Sequence, residues 1–360
     1  MKPIQTEGKT LRILVSRADR LGDLVLSTPV FSELRKKYPS AWIACLTFLE
    51  NREVIAGNPY INKVILYDKK GSERSVLGQL KFAARLASEK FDIAIHLHAT
   101  NRIHLATWAA RIPVRIGWDR RAPWALTHVY PDSKVEGKKH EAQYNFDLLG
   151  PLSVSCPEKL ETFFPLTDRA ASSLDHFLKN SDLPDIPWIA LNPSASCPSK
   201  IWPAERWGYL IESLERKYKA HFILIGTRQD RQLTQKIKDS VPFPVSDLSG
   251  HLSLGMLGVF LKKCQLLISN DSGPVHVASA VGTPVVSIFG RNQPGLSPTR
   301  WRPLGENSKV VWKNVGCEPC LAHACQIHFL CLDIISTEDV LREADFFLFS
   351  NLLQAAGRSV

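Results

Sequence analysis

The sequence predicts an α/β protein of two tandem domains, each a mostly parallel sheet covered by helices. Three observations carry this. Short apolar runs alternate with segments of helical spacing. The alternation breaks in a proline-bearing stretch near residue 150 and restarts near residue 188. A chain of 360 residues also exceeds what one ordinary core accommodates.

In chain order, residues 11–16 (LRILVS) form a strand. The loop from Arg17 to Asp23 (RADRLGD) follows. A helix is expected over residues 24–38, with Pro29 near its start, basic residues in its last turn and Pro39 as its stop. Residues 41–47 and 64–67 read as strands, 77–90 as a helix, and 91–96 and 115–117 as further strands. Gly150, Pro151, Pro157 and Pro165 then interrupt the pattern. After the break come a helix at 168–179, a strand at 188–192, a helix at 203–218, a strand at 221–226 and a helix at 228–240. Residues 264–269 are a buried strand leading to Asn270, Asp271 and Ser272, all good N-caps, with Pro274 early in the next helix. Gly282 and Pro284 stop that helix, and 285–289 is the next strand. A last helix is expected over 336–353, capped by Thr337. The domains so defined are 1–165 and 166–335, with 336–360 as a C-terminal helix crossing back to the first domain.

The composition is globular, with 44% hydrophobic and 22% charged residues. No apolar run reaches membrane-spanning length, and the opening MKPIQTEGKTLR lacks the apolar core of a signal peptide, so a cytoplasmic protein is expected. The net charge of +10 favours an anionic partner: a phosphorylated substrate, an acidic membrane surface or nucleic acid. No zinc-finger, RNA-recognition or homeodomain pattern is present, so nucleic acid is not expected.

The chemistry must avoid two common solutions. There is no G-x-G-x-x-G and no Walker A motif, which argues against a dinucleotide dehydrogenase and a P-loop NTPase. The helix start after Asn270 offers backbone N–H groups and a dipole to a phosphate. Asp271 has the wrong sign for that and suits a hydroxyl pair such as a ribose. The plain alternative is an ordinary buried strand–helix–strand unit. The loop 192–203 presents Ser194, Ser196, Ser199 and Lys200 at the end of its domain's first strand, where ligands of such sheets bind. In the first domain, Asp23 is either a helix cap or a general base, and Gly22 permits a tight backbone approach. Cys317, Cys320, Cys325 and Cys331, with His323 and His328 nearby, suit either a reduced structural cluster or a small zinc knuckle. The former is preferred, so no metal is expected.

The stretch LRILVSRADRLGDLVLSTPVFSELRKKYP is similar to the opening of the bacterial lipopolysaccharide heptosyltransferases, glycosyltransferase family 9. Its Gly22-Asp23 and Thr28-Pro29 match that family's opening motif. NPSASCPSKIWPAERW resembles the family's Lys-x-Trp-Pro loop through Lys200, Trp202 and Pro203. NDSGPVHVASAVGTPVVSIFG resembles its Asp-Ser/Thr-Gly-x-x-His signature through Asp271, Ser272, Gly273 and His276. GWD at 117–119 and His140 also sit where the family has counterparts.

The resemblance implies a GT-B fold, two Rossmann-like domains facing across a cleft. It implies inverting transfer of a sugar, typically heptose from ADP-heptose, to a lipopolysaccharide inner-core acceptor of the lipid A–Kdo type. Asp23 would be the base. Ser194, Ser196, Lys200, Asp230, Asp271, Ser272, Gly273 and His276 would hold the donor. Arg17, Arg20, Arg120 and His140 would meet the anionic acceptor, at the inner face of the cytoplasmic membrane. No cofactor beyond the nucleotide-sugar substrate is implied. The competing readings are another GT-B nucleotide-sugar enzyme, a different sugar transferase or an epimerase, and a catalytically silent nucleotide-binding paralogue.

Overall fold

The computed structural model describes residues 10–356, and of residues 350–356 the helical backbone alone. The chain divides into two compact units between Pro165 and Leu166.

The first unit runs β1 (Arg12–Ser16), α1 (Leu21–Val25), α2 (Thr28–Lys37), β2 (Trp42–Phe48), α3 (Arg52–Ile55), β3 (Lys63–Tyr67), α4 (Val76–Ser88), β4 (Ile93–His96), α5 (Asn101–Ala109), β5 (Val114–Trp118), β6 (His128–Tyr130) and α6 (Glu141–Asp147). Its six strands are all parallel, in the order β3-β2-β1-β4-β5-β6. A parallel sheet covered on both faces needs continuous apolar strands. Ile13, Leu14 and Val15, none of them solvent-accessible, meet that need in β1. One face packs on α4 and α5, where Leu14, Leu46 and Ala94 meet Phe82, Leu86 and Ile103.

The single helix expected over 24–38 is two helices. Pro29 has no N–H to give the Val25 carbonyl. The Thr28 hydroxyl bonds that carbonyl instead, at 2.7 Å, and Val30 N–H donates to Ser27. The break leaves Asp23 on a short helix of its own, set by the loop after β1.

The second unit runs α7 (Asp168–Lys179), β7 (Trp188–Asn192), α8 (Ala204–Lys217), β8 (His221–Leu224), α9 (Arg231–Asp239), β9 (Ser246–Asp247), α10 (Leu254–Lys263), β10 (Leu266–Asn270), α11 (Gly273–Val281), β11 (Val285–Phe289), α12 (Pro298–Trp301), β12 (Ser308–Trp312), α13 (Leu330–Asp333) and α14 (Thr337–Ala356). Its strand order is β12-β11-β10-β7-β8-β9, again parallel throughout. Read from each unit's own first strand, both sheets have the order 3-2-1-4-5-6 of a doubly wound fold.

One expectation about the end of the chain changes. Ser336, rather than Thr337, caps α14: its hydroxyl accepts from Asp339 N–H while the Asp339 carboxylate accepts from Ser336 N–H. Val340, Ala344, Phe347 and Leu348 are buried in the second unit's own core, with Trp202, Trp207 and Leu210.

Candidate functional site

In each doubly wound sheet the strand order reverses between the first and fourth strands, and ligands bind beyond the strand ends at that point. In the first unit the reversal lies between β1 and β4. The loop after β1 brings Arg17 under Asp23. Arg17 is only 1% exposed. Its guanidinium donates to Asp23 Oδ1 at 2.5 Å, Asp19 Oδ1 at 3.0 Å, Glu141 Oε1 at 2.9 Å and Asn145 Oδ1 at 3.1 Å. Burial alone works against a charged guanidinium. The Asp19, Asp23 and Glu141 charges outweigh it and raise the Arg17 pKa. Lys134 joins from the far side, donating to Glu141 Oε1 at 2.8 Å. Three carboxylates thus surround one buried arginine, with a lysine behind.

Asp19 and His98, which follows β4, lie 3.2 Å apart. Burial pushes the Asp19 carboxyl up to about 8, against the pull of Arg17. Burial, with the Arg17 and Lys134 charges, takes the His98 ring down to about 3. Burial therefore opposes charge on both partners of this pair. Sequence reading passed over Asp19, Glu141, Lys134 and His98. Only Asp19 had a signal, as the second carboxylate of RADRLGD.

The proposed acceptor residues are dispersed. Arg17 is turned inward and holds Asp23, whereas Arg20 on the same loop is exposed. Arg120 pairs with Asp132 at 2.8 Å. His140 is buried and caps α6, accepting from Ala142 N–H at 3.2 Å. GWD is a packing motif: a side chain at Gly117 would press on Leu126 at 3.0 Å, and the Trp118 indole donates to the Leu97 carbonyl.

In the second unit the reversal lies between β7 and β10. Two asparagines at the strand ends tie the two loops together. Asn192 donates to the Ser272 hydroxyl at 2.7 Å and the Ser269 hydroxyl at 3.0 Å. Asn270 donates to the Pro193 carbonyl at 2.6 Å and accepts from Trp202 N–H at 3.2 Å. Ser272 is the N-cap of α11, yet it makes no side-chain cap bond. Gly273 opens the helix and His276 is buried in its first turns. Gly282, at φ +83, ends the helix in the left-handed conformation that glycine adopts without strain.

Asp271 is 3% exposed and its Oδ2 takes two cations, Lys200 at 2.9 Å and Arg291 at 2.6 Å. Two positive charges against one negative, beside a helix N-terminus, leave the site net positive. Arg291 is the residue the sequence reading missed. The available signal was its position just past β11, two residues beyond the end of the strand next to β10. Ser194 is buried against the Asn192 side chain, and Ser196 is exposed on the same loop. Asp230 lies beyond β8, where its carboxylate accepts from Thr227 N–H and hydroxyl.

The Cys-rich segment packs against the Lys200 loop. His323 Nδ1 lies 3.2 Å from the Ser199 hydroxyl. A side chain at Gly290 would strike the Ser199 carbonyl at 2.7 Å. The thiols of Cys320, Cys325 and Cys331 accept backbone N–H groups from Asn292, Phe329 and Arg291, each at 3.3 Å. Among the described residues, no group of three or more ligating side chains is placed to hold a metal ion.

Residues 79–330 match the model of glycosyltransferase family 9 (heptosyltransferase). The chain is 26% identical over 343 residues to lipopolysaccharide heptosyltransferase 3 of Escherichia coli, covering 92% of this chain and 97% of that protein. The crystal structure of a family 9 glycosyltransferase from Veillonella parvula superposes with a TM-score of 0.85 at 25% identity, over 96% of this chain and 99% of that one. The E. coli ADP-heptose lipopolysaccharide heptosyltransferase II superposes with a TM-score of 0.79 at 22% identity, over 95% and 99%. The two six-stranded parallel units are those of a GT-B glycosyltransferase, and the chain belongs to glycosyltransferase family 9, the heptosyltransferase family.

Proposed function

We propose that this enzyme transfers heptose from ADP-heptose to an anionic lipopolysaccharide inner-core acceptor, with inversion, at the inner face of the cytoplasmic membrane. The observation that carries the reading is the pair of opposite charge arrangements at the two sheet reversals. In the first unit, Asp23 is held by Arg17 yet keeps part of its side chain accessible. It takes the proton of the acceptor hydroxyl as that oxygen bonds the anomeric carbon. On the second unit, Lys200, Arg291 and the start of α11 receive the diphosphate. As the bond from the anomeric carbon to phosphate oxygen breaks, the departing ADP carries the electron pair into this positive site.

Asp271 orients both cations and, with Ser272, Gly273, His276, Ser194, Ser196 and Asp230, borders the nucleotide. Arg20 and Arg120 are exposed guanidiniums that would meet acceptor phosphate or carboxylate in forked contacts, Arg120 by leaving Asp132. Arg17 positions the base instead of binding the acceptor. Because the cations of the second unit neutralise the diphosphate, no metal is required.

The test incubates the protein with a panel of nucleotide sugars and an inner-core acceptor stripped of its acyl chains. ADP release, and a product of inverted anomeric configuration by NMR, are expected with ADP-heptose, unchanged by EDTA. Turnover of a different nucleotide sugar alone, or an epimerised donor without transfer, overturns the reading.

A further inference from the structure

We propose that the outer face of α4 and α5 is a docking surface for an anionic lipid bilayer, with apolar side chains entering the headgroup boundary inside a ring of basic ones. The inference rests on the membrane-embedded acceptor of the reading above for its biological setting, and on the following surface for its substance.

Helix α4 buries Phe82, Ala83 and Leu86 against the sheet. Its opposite side is also apolar. Val76, Leu77 and Leu80 are 79%, 62% and 59% exposed, and Ala84 and Ala87 continue the stripe at helical spacing. An amphipathic surface helix would place charged or polar residues there. Helix α5 packs beside α4 on the same face of the sheet. Its outward side carries Leu105 and Trp108, and Trp108 meets Trp124 edge to face at 5.6 Å. Both indoles stand out from the protein, 50% and 65% exposed. Single exposed apolar residues need no explanation, but a stripe continued by a tryptophan pair marks an interaction surface.

The charges around this face decide the partner. The loop before α4 contains two carboxylates and three cations. Both carboxylates are engaged within the loop: half-buried Asp68 accepts from Gly71 and Ser72 N–H, and buried Glu73 accepts from Asp68 N–H and the Ser72 hydroxyl. Gly78 lets the helix start press on this loop, since a side chain there would meet the Ser72 carbonyl at 2.0 Å. The loop is thereby fixed with Lys70 and Arg74 exposed, and with Lys69 exposed along its stem while its ammonium lies 3.9 Å from the Phe48 ring centre. Lys81 on α4 and Arg102 on α5 add to them, and over residues 69–121 Asp119 is the one exposed carboxylate.

Leucine and tryptophan side chains settle at the boundary between headgroups and acyl chains, while lysine and arginine reach headgroup phosphates. Basic residues near an anionic leaflet add attraction that fades within a Debye length. A second copy of the chain fits less well, because a two-fold contact would set this basic face against itself. Among the described residues no helix is long and apolar enough to cross a membrane, so attachment through this face is peripheral.

The experiment is flotation of the full chain with phosphatidylcholine vesicles, with and without phosphatidylglycerol. No acceptor glycolipid is present, so recognition of the acceptor's sugars does not contribute, and the variants on α4 and α5 separate this face from the acceptor-site arginines. Wild type is expected to float with the anionic vesicles, weakly with the neutral ones, and less at high salt. Leu77→Glu with Leu80→Glu is expected to reduce flotation at least roughly tenfold. A second variant, Trp108→Ala with Trp124→Ala, is expected to reduce it without any added charge. Turnover on the acyl-free acceptor and the melting temperature should be unchanged in the Leu77/Leu80 variant, because those side chains support neither the core nor the site. Equal flotation of both variants and wild type overturns the proposal. So does a dimer in sedimentation that the Leu77/Leu80 variant splits, which would make the face a self-interface. Failure of transfer to the acyl-free acceptor with normal flotation removes the enzymatic reading and leaves the docking surface standing.

Discussion

The two units have one strand order and opposite electrostatics at the same topological position. Beyond β1 and β4, a buried arginine is ringed by Asp19, Asp23 and Glu141. Beyond β7 and β10, a buried aspartate is ringed by Lys200 and Arg291. A doubly wound sheet provides the location, where helix starts and loop backbones gather. The side chains set the sign. An excess of carboxylate can accept a proton, and an excess of cation can accept a diphosphate. The proposed transfer draws on one of each, and a repeated architecture with inverted charge is a direct way to supply both.

Erasing the charge of Asp23 tests the carboxylate-rich half most severely. Asp23→Asn keeps a hydrogen-bonding partner for Arg17, so the fold should hold. Turnover should fall by roughly 10²–10⁴-fold, the usual contribution of a general base, with ADP affinity near wild type. A variant that keeps a tenth of wild-type turnover would show that the proton goes elsewhere. The cation-rich half should respond in the other observable. Lys200→Ala and Arg291→Ala each remove one charged contact worth about 1.5–3 kcal/mol, so ADP binding by calorimetry should weaken roughly ten- to hundredfold. Unchanged affinity in both would break the comparison, because the excess positive charge would then have no diphosphate to serve.

The sequence made the frame of both units legible, along with one half of each charge pattern. Its alternation placed β7, β11 and α7 at their observed limits. Asp23, Lys200 and Asp271 stood out because each follows a strand within a recognisable motif. The partners that give each site its sign were hidden. Glu141 and Lys134 lie more than a hundred residues from Arg17, and chain folding alone brings them there. Arg291 looked like one loop arginine among many until its ion pair to Asp271 was visible. Helix α5 was missed because its buried side includes His104 and Thr107, which blur the apolar period. Arg17 shows the same limit: a sequence marks it as cationic and does not say that three carboxylates enclose it.

Asp19 sharpens the comparison with the smallest expected effect on turnover. It belongs to the carboxylate-rich half, and burial opposes its ionisation there. Its folded pKa, pushed up by burial to about 8, lies above the ordinary value of 3.8. The folded chain therefore binds this proton more tightly than the unfolded chain does. The resulting stabilisation is full below about pH 4 and is lost as pH rises through about 8. Asn at this position resembles the protonated carboxyl in shape and cannot titrate. Asp19→Asn should consequently leave turnover at neutral pH close to wild type. Its melting temperature relative to wild type should rise steadily between pH 5 and pH 8, because only wild type loses stability over that range. Thermal melts of both proteins across the range measure the difference directly. A constant gap would mean that Arg17 keeps Asp19 ionised throughout. The first unit would then hold three full carboxylate charges across the range, and its contrast with the second would not depend on pH.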